Sequence, residues 1–255
     1  MHNYKGFRQT ALLAAKQASK ILLDKYGKKG AVKQKSNKTL VSIADIEANK
    51  AIINTIKRQF PTHSILSEET GFEDNNSDYK WVIDPLDGTH NYLHEIPIFG
   101  TSIALEYKNK VVIGVLGFPI MRLTAIAEKN KGAFLNGKKI RVSNKKNLDH
   151  SFIMFEFSYG NRKEKIGFLE KLIHEIIDVR NLGSAVYNLL LVASGKSDGY
   201  VVLSTHEWDV AAGFLLVEEA GGKVTDLDGN AWKPYQNQFL ISNKKIHKEL
   251  LQILK

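Results

Sequence analysis

Apolar residues recur at helical spacing in the first part of the chain. Residues 7–26 carry them roughly every three or four positions, which predicts an amphipathic helix that ends at Gly27. Ser42 and Asp45 have the spacing of a capping box and predict the start of a second helix, which ends at Pro61. The chain is therefore expected to open with two helices.

Short apolar runs replace this spacing between residues 64 and 142 and predict strands. The predicted strands lie at 64–66, 81–83, 101–105, 111–116, 124–127 and 140–142. Asn136 and Gly137 separate two apolar runs and predict a tight hairpin turn. The polar segment 143–149 predicts a boundary between an N-terminal α+β domain, residues 1–143, and a C-terminal α/β domain, residues 144–255.

Beyond this boundary, strand-like and helix-like patterns alternate. The predicted strands are at 152–157, 199–203 and 239–241, and the predicted helices are at 164–178, 184–194, 209–220 and the C-terminus. A turn signal at 226–229 predicts a further hairpin. The alternation indicates an α/β fold built from layers of helices and sheets.

Composition narrows the classes of protein that fit this pattern. The sequence has no cysteine, which excludes disulfides and thiolate metal sites and favours a cytoplasmic location. No apolar run approaches the roughly 18 residues that span a bilayer, and the first residues do not have the pattern of a signal peptide. No membrane association is expected.

The chain is basic, with 36 Lys and Arg against 27 Asp and Glu, a net charge of +9. A solvated lysine-rich surface is the simplest interpretation, and attraction of anionic substrates is a sharper one. Binding of nucleic acid is a weaker alternative, because the lysine pairs are scattered and are not interleaved with aromatic residues.

The run from Trp81 to Asn91 carries the most specific chemical signal. Asp84 and Asp87 lie where a strand gives way to a turn, and their oxygen ligands suit Mg²⁺ or Mn²⁺. Gly88 allows a ligand to approach the backbone closely, and the amides of this turn could hold phosphate oxygens. An Asp-Pro or Asp-Gly pair alone would indicate an ordinary turn. The whole run after an apolar strand favours a functional site.

Other carboxylates could join this site. Glu68 and Glu69 follow a predicted strand, and strand ends are where sites of α/β proteins gather. Asp209 and Asp45 lie in the first turns of predicted helices, where capping explains them equally well. The segment 181–185 enters another helix, and its Ser184 is either a helix cap or part of a wall for a sugar-like ring.

Four segments, in order, resemble the signatures of the inositol monophosphatase family. They are Leu40-Val41-Ser42-Ile-Ala-Asp45, Ser67-Glu68-Glu69, Asp84-Pro-Leu-Asp87-Gly-Thr89-His-Asn91, and Trp208-Asp209-Val-Ala-Ala-Gly213 followed by Glu219-Ala-Gly-Gly222. The resemblance covers essentially the full chain. It implies the sugar-phosphatase fold, a five-layer α/β/α/β/α sandwich, and in this family the protein is usually a homodimer.

The resemblance also implies roles for individual residues. Metal ligands would be Glu68, Asp84, the Leu86 carbonyl, Asp87 and Asp209. The catalytic residues would be Glu68, Thr89 and Asp45, of which Asp45 and Thr89 orient or deprotonate the attacking water. Substrate-binding residues would be Gly88, Thr89, Gly183, Ser184, Ala185 and Asp209, with the first two at the phosphate and the 183–185 segment at the leaving group.

The activity implied by the resemblance is a lithium-sensitive hydrolysis of phosphomonoesters that uses roughly two or three Mg²⁺ ions, or Mn²⁺, and in-line attack by water. Inositol 1-phosphate or a related small sugar or polyol phosphate is the expected substrate. The alternatives are fructose 1,6-bisphosphate, 3′-phosphoadenosine 5′-phosphate, histidinol phosphate and NADP. A role in binding RNA or the transcription machinery, as in some bacterial relatives, is the alternative from another class.

Two positions depart from the family pattern. Val202 stands where many inositol phosphatases have a glutamate that reads inositol hydroxyls, and either Glu207 or Tyr187 could compensate. Thr39 stands where an aspartate often occurs in a metal-binding loop, which predicts looser binding of a third metal. His90 and His94 lack the glutamate of a zinc motif, so no zinc site is expected there.

Overall fold

The computed structural model describes residues 4–28, 32–34, 40–157, 160–233 and 236–255. Its helices are α1 (Lys5–Lys25), α2 (Ile43–Gln59), α3 (Thr89–Leu93), α4 (Arg162–Ile173), α5 (Ala185–Ala193), α6 (Glu207–Glu219) and α7 (His247–Leu254), with a short 3-10 helix at Leu148–His150. Its strands are β1 (Val32–Gln34), β2 (Leu40–Ser42), β3 (Ser64–Ser67), β4 (Gly71–Glu73), β5 (Tyr79–Asp87), β6 (Gly100–Tyr107), β7 (Lys110–Phe118), β8 (Leu123–Glu128), β9 (Gly132–Leu135), β10 (Lys138–Lys139), β11 (Phe152–Phe155), β12 (Asp178–Arg180), β13 (Gly199–Val202), β14 (Lys223–Thr225) and β15 (Phe239–Ser242).

The larger sheet has eight strands in the order β10-β9-β8-β7-β6-β5-β3-β4. Its neighbours are antiparallel except for β3 and β5, which run parallel with Ser67 opposite Ile83. The parallel pair brings the carboxyl ends of two strands to one edge of the sheet. The residues that follow β3 therefore lie beside the end of β5.

The second sheet has five strands in the order β12-β11-β13-β15-β14. β11 runs parallel to both β12 and β13, whereas β15 is antiparallel to β13 and β14. The carboxyl ends of β11 and β13 consequently lie together, and the chain leaves β13 towards α6. A separate small hairpin joins β1 and β2.

Helices cover both sheets and separate them, which makes five layers. Along β5, Trp81 and Ile83 pack into the cluster formed with α1 and α2, while Val82 points into the cluster formed with α5 and α6. Helices α5 and α6 lie between the sheets, and α4 and α7 cover the outer face of the second sheet. This α/β/α/β/α arrangement confirms the predicted fold class.

The helix predicted at 164–178 ends at Ile173, because Ile177 N donates to Ser151 O and draws the chain into β12 beside β11. The strand predicted at 140–142 is also wrong, since β10 ends at Lys139. The hairpin at Asn136 and Gly137 is confirmed by the antiparallel pairing of β9 and β10.

The polar segment 143–149 lies between the last strand of the larger sheet and the first strand of the second sheet in chain order. Helix α6, from the C-terminal side of this segment, packs on the larger sheet. The division into domains 1–143 and 144–255 stays a prediction. Within the described residues, every helix is too short or too polar to cross a bilayer.

Gly114 in β7 provides a test of how closely α6 packs on the larger sheet. A Cβ at this position would lie 2.5 Å from Ala212 O, a backbone atom of α6. At Gly117 in the same strand, a Cβ would meet nothing nearer than Ser19 Oγ at 3.4 Å. We therefore expect Gly114→Ala to lower the free energy of unfolding by about 2–3 kcal/mol, since backbone overlap must be relieved.

Gly117→Ala is the matched control for this substitution and should change the free energy of unfolding by less than about 1 kcal/mol. Urea unfolding of both variants measures the difference. Equal stability of the two variants would show that α6 does not pack this closely on β7.

Candidate active site

Three carboxylates converge where β5 ends and α6 begins. Asp84, Asp87 and Asp209 each offer an oxygen, and these atoms lie within 4.8 Å of one another. A β-bulge explains how the first two share a face. Asp84 pairs with Ser102 and Asp87 with Gly100, so β5 has one more residue than β6 in this stretch. Without that extra residue, side chains three positions apart would point to opposite faces.

The Asp87 carboxylate is bonded to the start of α5. Its Oδ2 accepts a short hydrogen bond from the Ser184 hydroxyl, and its Oδ1 accepts one from Ala185 N at 3.1 Å. Val186 N lies 3.4 Å from Oδ2. A helix N-terminus favours a negative charge, so α5 holds Asp87 towards the other carboxylates.

Asp84 and Asp209 are oriented by local hydrogen bonds. Asp84 Oδ1 accepts from Leu86 N at 2.9 Å. Asp209 Oδ2 accepts from the Thr205 hydroxyl and from His206 N, both at 2.9 Å. Asp209 therefore acts as a cap within the first turn of its helix and also belongs to the carboxylate group, so the two interpretations of this residue are compatible.

Glu68 lies beside this group, just outside the set of three. Glu68 N donates to Ile83 O at 3.1 Å and so extends the parallel ladder of β3 and β5 by one residue. Its negative charge contributes to the raised pKa of Asp84. The strand-end argument for Glu68 is thus supported by its position next to Asp84.

Asp45, Thr89 and Leu86 form a second small group next to the carboxylates. The Thr89 hydroxyl lies 3.1 Å from the Leu86 carbonyl oxygen and 3.5 Å from Asp45 Oδ1. Asp45 is buried near the start of α2, and Thr89 is the first residue of α3. The structure therefore brings together Asp45 and Thr89, which are 44 residues apart in the chain.

Gly88 and Gly183 approach each other beside the carboxylates. Gly88 has a φ of 81°, and a Cβ there would lie 3.0 Å from Ile98 O and 3.3 Å from Gly183 O. Asn91 Nδ2 donates to Ile98 O and to Leu182 O, both at 2.7 Å, and so ties the 181–183 loop to α3 and to the segment before β6. Any side chain at position 88 would disturb this junction.

The segment 183–185 makes a contact that the sequence did not indicate, in addition to the predicted helix cap at Ser184. Ser184 caps α5, since its Oγ accepts from Tyr187 N at 3.2 Å, and it also bonds to Asp87. Ala185 N is directed to Asp87 as well. The sequence predicted Ser184 either as the cap of its own helix or as part of a ligand wall. Neither interpretation included a hydrogen bond to the carboxylate group.

A buried cluster with a positive centre links α6 to the larger sheet. Lys80 Nζ lies 2.9 Å from Glu106 Oε2 and 2.7 Å from Glu207 Oε1. Burial alone would lower the pKa of Lys80, but its bonds to Glu207 and Glu106 raise it above its ordinary value. Glu207 is the first residue of α6 and precedes Asp209 by two positions. Glu207 therefore anchors the start of α6 to the larger sheet, and its compensation for Val202 stays a prediction.

The remaining predicted positions have simpler surroundings. Val202 is fully buried in the core between the sheets, and Tyr187 packs edge-on against Phe118 at 5.5 Å. His206 is exposed and stacks on Trp208, with ring centroids 4.6 Å apart. Thr39 lies outside the described residues.

The electrostatics of the carboxylate group favour a bound cation. Burial, followed by the charges of Glu68, Asp87 and Asp209, raises the pKa of Asp84 well above its ordinary value. Burial raises the pKa of Asp87 to about 7, although its bond from Ser184 opposes the shift, and burial also raises the pKa of Asp209. Carboxylates that repel one another in a place with little water fit a divalent metal ion, which would neutralise them and accept their oxygens as ligands.

These shifts predict how pH affects the metal-free protein. The pKa of Asp87 is about 7 in the folded state against 3.8 ordinarily, so the folded protein binds more protons than the unfolded chain between these values. The stabilisation from protonating the carboxylate group is complete below pH 3.8 and is lost as pH rises through about 7. We expect Tm without metal to fall as pH rises from about 4 to about 7, and to level off above about pH 7.

Added metal should reverse this trend, because it binds the deprotonated carboxylates and competes with protons. Thermal unfolding at several pH values, with a chelator and with excess Mg²⁺, measures both effects. The Asp87→Asn variant is the control and should show a flatter dependence of Tm on pH. An equal slope in the variant and in the parent protein would contradict the assignment of the titration to this group.

Sequence reasoning missed several residues around the site. Lys80 and Glu106 are charged residues inside otherwise apolar strands, and that interruption of the pattern is the signal that could have identified them. Asn91 belongs to the motif that ends β5, and the motif alone does not indicate that this side chain holds the 181–183 loop in place. The contacts of these residues depend on which strands are neighbours, which the local pattern does not specify.

Comparisons with known proteins show which sequences and structures this chain resembles. The model of the inositol monophosphatase family matches residues 3–255. A fructose-1,6-bisphosphatase/inositol-1-monophosphatase from Aquifex aeolicus is 32% identical, over 100% of this chain and 97% of the relative. A Nus factor SuhB from Haemophilus influenzae is 36% identical, over 94% of this chain and 92% of the relative. The crystal structure of the extragenic suppressor protein suhB from Bartonella henselae superposes with a TM-score of 0.95 at 34% identity, over 98% and 99% of the two chains.

Proposed function

This chain belongs to the inositol monophosphatase family, and we propose that it is a Mg²⁺-dependent phosphomonoester hydrolase that acts on inositol 1-phosphate or a related small sugar or polyol phosphate. Family membership supports a phosphatase of this superfamily. The observation that carries the proposal is the convergence of Asp84, Asp87 and Asp209 within 4.8 Å. Three buried or half-buried carboxylates suit a hard divalent cation better than zinc.

The metal ligands in this proposal are the three converging aspartates together with Glu68 and the Leu86 carbonyl. Bound Mg²⁺, or Mn²⁺ in its place, would neutralise phosphate charge, lower the pKa of an attacking water and stabilise the departing oxygen. Glu68 is next to Asp84 across the parallel strands. Several carboxylates are required because they balance the charge of more than one cation when substrate is absent.

Asp45 and Thr89 would orient the attacking water. The Thr89 hydroxyl can direct its proton to Leu86 O or Asp45 Oδ1, which leaves an oxygen lone pair to accept a hydrogen bond from water. The buried Asp45 carboxylate would then receive the proton through Thr89, and Glu68 would assist from the other side. These groups act as general bases towards water, which attacks phosphorus in line with the leaving group.

The phosphate would rest on the turn at Gly88 and Thr89. The absence of a side chain at Gly88 permits close approach of phosphate oxygens to the backbone, and α3 begins at Thr89. Gly183 borders this turn and would line the leaving-group side with Ser184 and Ala185. Since Ser184 and Ala185 also bond to Asp87, they would couple the leaving-group wall to a metal ligand. Asp209 would contact the substrate as well as a metal.

A substrate panel tests the proposal. Phosphate release is measured with Mg²⁺ from inositol 1-phosphate, fructose 1,6-bisphosphate, 3′-phosphoadenosine 5′-phosphate, histidinol phosphate and NADP, each with and without EDTA. The proposal predicts EDTA-sensitive release with the highest kcat/KM for a sugar or polyol phosphate. Preference for a nucleotide or for histidinol phosphate would support the phosphatase assignment but reject sugar and polyol phosphates as the substrate class. No release from any compound by folded protein would contradict the phosphatase assignment.

A second candidate function is participation in transcription. It is favoured by the 36% identity to a relative named Nus factor SuhB, over 94% of this chain, and by the net charge of +9. Binding of RNA or of the transcription machinery would use the surface of the protein and not the carboxylate group. Binding that survives Asp87→Asn, in a protein without phosphatase activity, would support this alternative.

The proposal includes three further properties of the protein: its oligomeric state, its inhibition by lithium and its location in the cell. A homodimer and inhibition by lithium are implied by the family, and a cytoplasmic location is the one that a chain without cysteine favours. Small phosphorylated metabolites are the expected partners. Sedimentation and inhibition by LiCl measure the first two properties directly.

A further inference from the structure

An ion pair is buried at the carboxyl end of β11. Glu156 follows this strand directly, and its Oε2 accepts a hydrogen bond from Lys165 Nζ at 2.6 Å. The Lys165 side chain is 1% exposed and the Glu156 side chain 10%. Burying two charges costs desolvation free energy, and apolar residues in their place are often equally stable or more stable. The pair therefore calls for an explanation other than stability.

The register of the second sheet places Glu156 beside Val202. In the parallel pair of β11 and β13, Phe155 lies opposite Val201, and Glu156 N donates to Val201 O at 3.2 Å. The next pair along the two strands is therefore Glu156 and Val202. Directly opposed residues of neighbouring strands point to the same face of a sheet. A carboxylate is thus present one strand away from the position where Val202 offers none.

This location borders the carboxylate group. The chain leaves β13 through Ser204 and reaches Asp209 in the first turn of α6. A Cβ at Gly160 would lie 3.2 Å from Ser204 Cβ and 3.8 Å from Lys165 Cε, so the side chain of Lys165 lies close to this connection. Burial raises the pKa of Asp209, and the charge of Glu156 adds to the increase, as expected for two carboxylates in one poorly hydrated region.

We propose that Glu156 is a specificity residue of this site: its carboxylate accepts hydrogen bonds from hydroxyl groups of the leaving group, and Lys165 holds that carboxylate in position. The inference rests on the proposed phosphatase function and narrows its substrates to monoesters of polyhydroxylated leaving groups. Glu156 would contact the substrate, and Lys165 would be a positioning residue that acts through Glu156.

The chemistry of the pair distinguishes among leaving groups. An ionised carboxylate is only an acceptor, so it matches the donating hydroxyls of a polyol. A leaving group without hydroxyls cannot donate these hydrogen bonds, so such a substrate lacks their contribution to binding. The charge of Lys165 is balanced by Glu156 at 2.6 Å, so the pair offers no net positive charge to a second phosphate. A polyol monophosphate therefore fits better than a bisphosphate.

Steady-state kinetics with two substrates test the inference. The polyol phosphate with the highest turnover in the panel is compared with 4-nitrophenyl phosphate. The only hydroxyl of 4-nitrophenol is esterified in this substrate, so its leaving group has no free hydroxyl to donate a hydrogen bond. Glu156→Gln should raise KM for the polyol phosphate about 10-fold, the loss of a charged hydrogen bond. Its kcat/KM for 4-nitrophenyl phosphate and its Mg²⁺ concentration at half-maximal rate should each change less than about 2-fold.

Two further variants keep the test interpretable. Glu164→Gln replaces an exposed carboxylate next to Lys165 in α4 and should leave both substrates unaffected. Glu156→Gln/Lys165→Met removes both charges, so it avoids the unpaired buried lysine that could impair folding of the single variant. The double variant should show the same loss of preference for the polyol phosphate.

The outcomes separate this inference from the proposed function. Equal losses on both substrates, or no change on the polyol phosphate, would overturn the role of Glu156 while the phosphatase assignment stands. No phosphate release from either substrate by the parent protein would instead reject the proposed function, and the inference with it.

Discussion

Asp87→Asn is expected to reduce kcat at least about 100-fold, because it removes a ligand from the metal that stabilises charge in the transition state. The carboxylate of Asp87 is one of the three that converge, and it is the one bonded to Ser184 and the start of α5. Asparagine keeps the shape of the side chain and can retain part of this bonding. The loss should therefore arise from weaker metal binding and charge stabilisation, with the fold intact.

Asp78→Asn is the matched control for this substitution. Asp78 precedes β5 on the surface, where its Oδ2 lies 3.5 Å from Lys108 Nζ, and its removal should leave kcat within about 2-fold. Phosphate release and thermal unfolding are measured for both variants. Activity of Asp87→Asn within 10-fold of the parent protein, on the order of 1.4 kcal/mol, would refute the assignment of Asp87 as a metal ligand.

Lys80→Met is expected to give the largest loss of stability, about 3 kcal/mol in the free energy of unfolding. The substitution leaves the carboxylates of Glu106 and Glu207 close together and buried without their cation. It also releases the first residue of α6 from β5, the strand that carries Asp84 and Asp87. We therefore expect the Mg²⁺ concentration at half-maximal rate to increase, since Asp209 is no longer held in register with the other ligands.

The exposed pair of Lys108 and Asp78 provides the comparison, with side chains 61% and 59% exposed. Lys108→Met should leave the free energy of unfolding close to that of the parent protein, because water screens a surface ion pair. Urea unfolding and metal titration of both variants give the two readouts. Equal stability of Lys80→Met and Lys108→Met would show that the buried cluster does not anchor α6.

The local sequence predicted much of the site because its ligands follow strands and begin helices. Asp84 and Asp87 come at the end of an apolar run, and Glu68 comes at the end of another. The parallel pairing of β3 and β5 then brings Glu68 beside Asp84. What the pattern could not provide was the bulge within β5, which allows both aspartates to face the same side.

Contacts between distant segments account for what the sequence pattern missed. Lys80 and Glu207 are 127 residues apart, and the local pattern at either position does not indicate that the two are bonded. Glu156 becomes noticeable only once β11 is known to run parallel to β13 and beside it. The sequence predicts Ser184 as a helix cap or as part of a wall for a sugar-like ring. In the structure its hydroxyl also donates a hydrogen bond to Asp87. Such contacts are decided by tertiary packing, to which helical or strand periodicity is insensitive.

The most direct measurement of the central claim is phosphate release as a function of Mg²⁺ concentration, with the preferred substrate and protein freed of metal by EDTA. The three-aspartate site predicts no release above the Asp87→Asn background without metal, and full recovery when Mg²⁺ is restored. Undiminished phosphate release by the metal-free protein would contradict a metal-dependent reaction at Asp84, Asp87 and Asp209.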